Sequence, residues 1–136
     1  MRNNNNKMSK KNKFEQEYLF NTSSKVLNSM VMTPSGLSEW FADDVNIKGD
    51  IYTFYWDGSE EVARLISKKE NEYIKFQWLE DEEEGLDTYV EIRFKVDPMT
   101  KAVVLHLTSF AEEDEMEEVQ LYWESTIEEL RRVLGA

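Results

Sequence analysis

The clearest regularity in the chain is strict alternation. In TYVEIRFKV (88–96), Val90, Ile92, Phe94 and Val96 take one side and Glu91, Arg93 and Lys95 the other. That two-residue period is the mark of a half-buried strand. The same period runs through FEQEYLF (14–20), with Phe14, Gln16, Tyr18 and Phe20 on one face. It recurs in EYIKFQWL (72–79), where Ile74, Phe76 and Trp78 oppose Lys75 and Gln77. IYTFYW (51–56), VARLISK (62–68) and AVVLHLTSF (102–110) read as further strands, and a brief one falls around Val45–Ile47. Within 51–56, Tyr52, Phe54 and Trp56 form the expected inward set. Within 102–110 the inward set is Val103, Leu105 and Leu107, which puts His106 on the outer face. Turn signals separate these runs at Lys48-Gly49-Asp50, Asp57-Gly58, Glu70-Asn71 and Asp97-Pro98. Connections this short join antiparallel neighbours.

The period lengthens elsewhere. After the capping residues NTSS, KVLNSMVM places Val26, Leu27, Met30 and Val31 on one helical face. Thr33-Pro34 ends that helix and opens a short second one, GLSEWF, with Thr33 as N-cap and Pro34 at the first helical position. EDEEEGLD, starting at Glu80, reads as an acidic loop. From about 112 to 134, Met116, Val119, Trp123, Ile127, Leu130 and Leu134 form one apolar helical stripe. Acids crowd its start, Arg131 and Arg132 its end, and Gly135 closes it. The order is strand, two helices, six strands and a long helix, an α+β chain. A curved sheet with one buried face needs a cover, and only the C-terminal helix is long enough to supply it.

Composition bounds this picture. A chain of 136 residues with 40% apolar side chains supports one domain with a single core. Residues 1–13 hold Arg2, Lys7, Lys10, Lys11 and Lys13 and no acid, and read as a flexible basic tail ahead of a domain spanning 14–136. Met8 is a second candidate start. Beyond the tail stand 11 basic and 28 acidic residues, a net of −17. So negative a body repels phosphate backbones and anionic lipid, which argues against nucleic-acid binding and membrane insertion. Cysteine is absent, which removes disulfides and thiolate chemistry. No apolar run reaches the roughly 20 residues of a membrane span, and the expected location is the cytoplasm.

The order of elements and several short stretches resemble a known family. They are NTSSKVLNSMVMTP, SEWF shortly after the proline, Gly49 before the third strand, FQW ending at Trp78, and the final helix with Trp123 followed by Ile127, Leu130 and Leu134. Together, over about 14–134, these resemble the START-like (SRPBCC) superfamily and its helix-grip fold. Within it the chain looks nearest to the branch of the activator of the heat-shock chaperone ATPase. That branch often has glycine before the last-helix tryptophan and a glycine pair before strand three. Here Tyr122 and Lys48-Gly49 stand there. The resemblance implies a curved sheet of about seven strands, two short helices after strand one, and a cavity between the sheet and the C-terminal helix. Such cavities bind lipids, sterols and other apolar molecules in some members. Other members are enzymes or chaperone regulators.

Trp40, Phe54, Trp56, Phe76, Trp78, Val90, Ile92, Phe94, Leu105, Leu107, Trp123 and Ile127 are the expected ligand-binding wall, with Trp40 and Phe41 at the cavity mouth or in the core. Polar inward candidates are few: Gln16, Tyr18 and Thr88. The single histidine, His106, has no acid partner identifiable by spacing. One histidine and no cysteine make a zinc site improbable. The acidic runs Glu80–Glu84 and Glu112–Glu118 lack the EF-hand ligand pattern and read as solvated faces. No catalytic residue, cofactor or metal is therefore expected. The functions rank as a non-catalytic module sheltering a small apolar ligand, then a protein-interaction or chaperone-regulator domain acting through its acidic surface, then an enzyme. The sequence leaves the oligomeric state open.

Overall fold

The first strand pairs with the last. In the computed structural model, which describes residues 10–136, β1 (Asn12–Phe20) runs antiparallel to β7 (Val103–Ala111) from Asn12↔Ala111 to Phe20↔Val103. Between them lie β2 (Asp44–Lys48), β3 (Ile51–Trp56), β4 (Ser59–Lys69), β5 (Tyr73–Trp78) and β6 (Val90–Val96). The seven strands form one sheet in the order β1-β7-β6-β5-β4-β3-β2, every pair antiparallel. The helices are α1 (Ser24–Met32), α2 (Pro34–Trp40), α3 (Leu79–Glu83) and α4 (Met116–Leu134), the last preceded by a 3-10 turn at Glu113–Glu115. This is the expected helix-grip order.

Local chemistry explains the corners. Ser23 caps α1 by accepting the Val26 N–H, and Thr33 caps α2 by accepting that of Gly36. The Thr33 hydroxyl also donates to the Ser29 carbonyl at 2.7 Å, so one side chain closes α1 and opens α2. The two helices touch at Gly36, where a Cβ would lie 2.1 Å from the Ser29 carbonyl oxygen. Trp40 reinforces the corner by donating its indole N–H to the Met30 carbonyl at 2.9 Å. At the other end of the chain Gly135 adopts φ 67°, and its N–H caps the carbonyls of Arg131 and Arg132.

The pleat sorts side chains as the alternation requires. Tyr52 and Phe54 are buried while Tyr55 is exposed, and Val90, Ile92 and Phe94 are buried while Arg93 and Lys95 face water. Trp123, Ile127 and Leu130 from α4 pack onto the inner face.

Three local differences from the sequence reading stand out. β4 is longer than 62–68, with a bulge between Leu65 and Ser67 that leaves Ile66 exposed. The acidic stretch after Trp78 is not loop throughout: Leu79–Glu83 forms α3, whose end is pinned by Arg64 hydrogen-bonding Glu82 at 2.8 Å. β1 begins at Asn12, inside the stretch expected to be tail, because β7 extends to Ala111 and offers it a partner. The expectation for residues 1–9 lies outside the described residues.

Candidate functional site

The interior between sheet and helix is filled at its centre. Phe54, Ile92, Leu105, Leu107 and Ile127 are fully buried there. The void left beside Val31, Phe41, Phe54 and Phe76 is about 10 Å³, no more than one water molecule needs.

At one end the packing opens into a cavity of about 440 Å³. Two features of the chain leave it empty. The inward row of β7 runs Leu105, Leu107, Ser109, Ala111, so large side chains give way to small ones. The β5–β6 ladder also ends at Phe76↔Val90, and residues 79–89 leave the sheet to build α3 and the link that follows. The cavity sits where the β3–β4 hairpin, α3, the start of β6, the end of β7 and the start of α4 meet.

Trp56, Trp78, Val119 and Trp123 supply its apolar wall, with Tyr89, Phe110 and Tyr122 beside them. The tryptophans are held by the core behind them. Trp123 stacks on Phe41 at 5.6 Å between ring centres. Trp56 meets Phe41 edge-on and donates its N–H to the Phe41 carbonyl at 3.0 Å. Trp78 meets Phe54 and Phe76 edge-on at 5.8 and 5.5 Å. Tyr89 packs against Phe110 and lies under the Lys75 ammonium, 4.2 Å from the ring centre.

The polar groups gather on one side. Asp81 is only 4% exposed. The Lys11 ammonium donates to one of its carboxylate oxygens at 2.9 Å, and the Thr88 hydroxyl donates to the other at 2.7 Å. Both oxygens of this buried carboxylate are thereby matched, which offsets the cost of burying it. Ser109 is equally buried, and its hydroxyl has no hydrogen-bond partner among the described residues. Glu61, still exposed to solvent over much of its surface, completes this side. Burial pushes its carboxyl above the ordinary value, Glu80 and Asp81 push the same way, and Lys11 offsets only part. Desolvation raises the Tyr122 phenol as well, and the Glu61 charge adds to that.

Of the residues expected to line a ligand site, the structure brings Trp56, Trp78 and Trp123 to this cavity. It places Phe54, Phe76, Val90, Ile92, Phe94, Leu105, Leu107 and Ile127 in the packed interior, and Trp40 in the α1–α2 corner. Thr88, read as one of the few inward polar residues, lies in the cavity wall. Gln16 and Tyr18 instead face α4: Gln16 donates to the Gln120 carbonyl at 3.1 Å and accepts from the Tyr18 hydroxyl at 2.7 Å. Sequence reasoning passed over Lys11, Glu61, Asp81, Ser109 and Tyr122. Asp81 was hidden in a run of acids that reads as a solvated face, which the structure corrects: the α3 turn rotates this one carboxylate inward while Glu80, Glu83 and Glu84 stay exposed. His106 lies on the outer face, with Glu15 at 2.7 Å and Glu17 at 3.2 Å supplied by the neighbouring strand. That cross-strand pairing is invisible to sequence spacing.

Among the described residues no group of three or more His, Cys, Asp or Glu side chains is arranged to hold a metal ion, and no helix is long and apolar enough to cross a membrane.

The sequence profile of the START-like superfamily domain matches residues 8–136, and the chain belongs to that superfamily. A Bacteroides fragilis protein solved by solution NMR is 36% identical, with 92% of each chain covered and a TM-score of 0.64. The Aha1 dimer from Colwellia psychrerythraea shares the fold at 14% identity, covering 88% of this chain and 92% of that one, with a TM-score of 0.75. An uncharacterised Bacillus thuringiensis protein does so at 11% identity, covering 92% and 100%, also with a TM-score of 0.75. No curated protein matches the sequence.

Proposed function

We propose that this domain is a non-catalytic binding module that shelters a small, mainly apolar or aromatic molecule in the cavity at the end of the grip. The observation that supports this reading is the cavity itself. About 440 Å³ stands open beside three tryptophans in a protein whose centre is otherwise filled. That volume lies within the ordinary range for small-molecule sites, and an apolar wall with a few placed polar groups is their usual composition. A ligand would displace water from the indoles, the driving force that apolar burial supplies.

The test is uptake of the neutral probe N-phenyl-1-naphthylamine, followed by its fluorescence. The wild type should bind it saturably. Ser109→Phe, which fills the cavity from the β7 side, should abolish uptake while circular dichroism shows the fold intact. Absence of binding by the folded wild type would overturn the reading. Undiminished binding by a folded Ser109→Phe protein would do so as well. The second reading, a protein-interaction domain working through the acidic surface, would then come first; the net −17 beyond residue 13 favours it.

A further inference from the structure

We propose that the ligand of this cavity carries a protonated amine, held by Glu61 on an apolar or aromatic body that lies against Trp78 and Trp123. This rests on the binding reading above and adds the charge of the ligand to it.

Among the described residues, three ionisable carboxylate or ammonium side chains line the cavity: Lys11, Glu61 and Asp81. Lys11 is committed to Asp81 at 2.9 Å, and Thr88 occupies the other Asp81 oxygen. These two charges cancel. Glu61 is left with no ion-pair partner among the described residues, and the charges nearest to it are mostly of its own sign. The cavity therefore carries one uncompensated negative charge beside indole rings. Indole faces attract cations. The Ser109 hydroxyl, buried in the same wall without a partner among the described residues, can accept a second hydrogen bond from an ammonium. A carboxylate ligand would meet the opposite: Glu61 repels it, and Lys11, the one cation that the described residues place in the wall, is already paired.

Three competitors of equal chain length separate the possibilities: n-octylammonium, n-octanol and n-octanoate, each displacing N-phenyl-1-naphthylamine from the intact protein at pH 7. Octylammonium should compete about tenfold better than octanol, a preference of ~1.4 kcal/mol, and octanoate should be weakest. Glu61→Gln should erase the advantage of the ammonium and leave octanol unchanged. Raising the salt to about 0.5 M screens the long-range field of the acidic body, so a preference that survives there and depends on Glu61 is local. If octanol displaces the probe but the ammonium has no advantage, or keeps its advantage in Glu61→Gln, the amine inference fails and the apolar cavity stands. If none of the three displaces the probe, the amine inference fails, while the cavity reading stands or falls with the Ser109→Phe result.

Discussion

The ammonium of Lys11 lies 2.9 Å from the carboxylate of Asp81, 70 residues away in the chain. This contact ties the start of β1 to α3 and closes one side of the cavity. It also sets the terms on which a buried carboxylate is tolerated, since Asp81 has a side-chain exposure of only 6%.

Removing one partner should therefore cost more than removing both. Lys11→Met is expected to destabilise by about 1–3 kcal/mol, and Thr88→Val by about 1 kcal/mol, because each leaves part of a buried carboxylate unmatched. The double change Lys11→Met with Asp81→Leu should recover most of the Lys11→Met loss. Urea melts of the singles and the double, read as a mutant cycle, check this. Additive losses would show that the pair is not coupled.

Trp123 is buried in the middle of the α4 stripe and stacks on Phe41. Trp123→Ala should cost about 3–5 kcal/mol through lost burial and the hole left behind. A denaturant melt showing less than ~1 kcal/mol would contradict its place in the core.

Gly36 marks the closest approach of α1 and α2. A Cβ there would collide with the Ser29 carbonyl oxygen at 2.1 Å and the Met30 Cα at 2.7 Å, backbone atoms that cannot swing aside. Gly36→Ala should thus cost about 1–3 kcal/mol by forcing the helices apart. The Trp40 hydrogen bond to Met30 should weaken with it, seen as a shifted indole N–H resonance in NMR spectra. An unchanged melting temperature would show that the corner yields without cost.

Alkaline pH should destabilise the fold through Tyr18. Burial pushes its phenol up to about 12, and Glu124 and Glu128 add to the effect. The folded state therefore holds the phenolic proton more tightly than the unfolded chain does. Its contribution is complete below the unfolded value near 10 and is lost as pH rises from there to about 12. Absorbance titration near 295 nm should show a phenol titrating late in the wild type, and that component should vanish in Tyr18→Phe.

Much of this architecture was legible in the sequence, and the reason is local. A period of two in Val90, Ile92 and Phe94 depends only on the pleat, and the Met116 to Leu134 stripe depends only on the helical turn. The caps at Ser23, Thr33 and Gly135 are set by residues within four positions of one another. Those signals determined the seven strands, the two short helices after β1 and the long α4, most of the inward faces, and the resemblance to the family, while α3 and the exposure of Val96 escaped them. What tertiary structure alone decided is where the interior is full and where it is not. Alternation assigns Leu107 and Ser109 to the same inner face. It does not say that Leu107 lies in the packed core while Ser109 borders the cavity, because a void is the sum of contributions from many elements. The same holds for charge. Asp81 is one acid among several until a short helix turns it inward, and Lys11 is one lysine of a basic stretch until β1 brings it within reach. Pairing across 70 residues is fixed by how the folded sheet brings the start of β1 beside α3, so the cavity and the carboxylate of Glu61, unpaired among the described residues, appear only in the folded molecule.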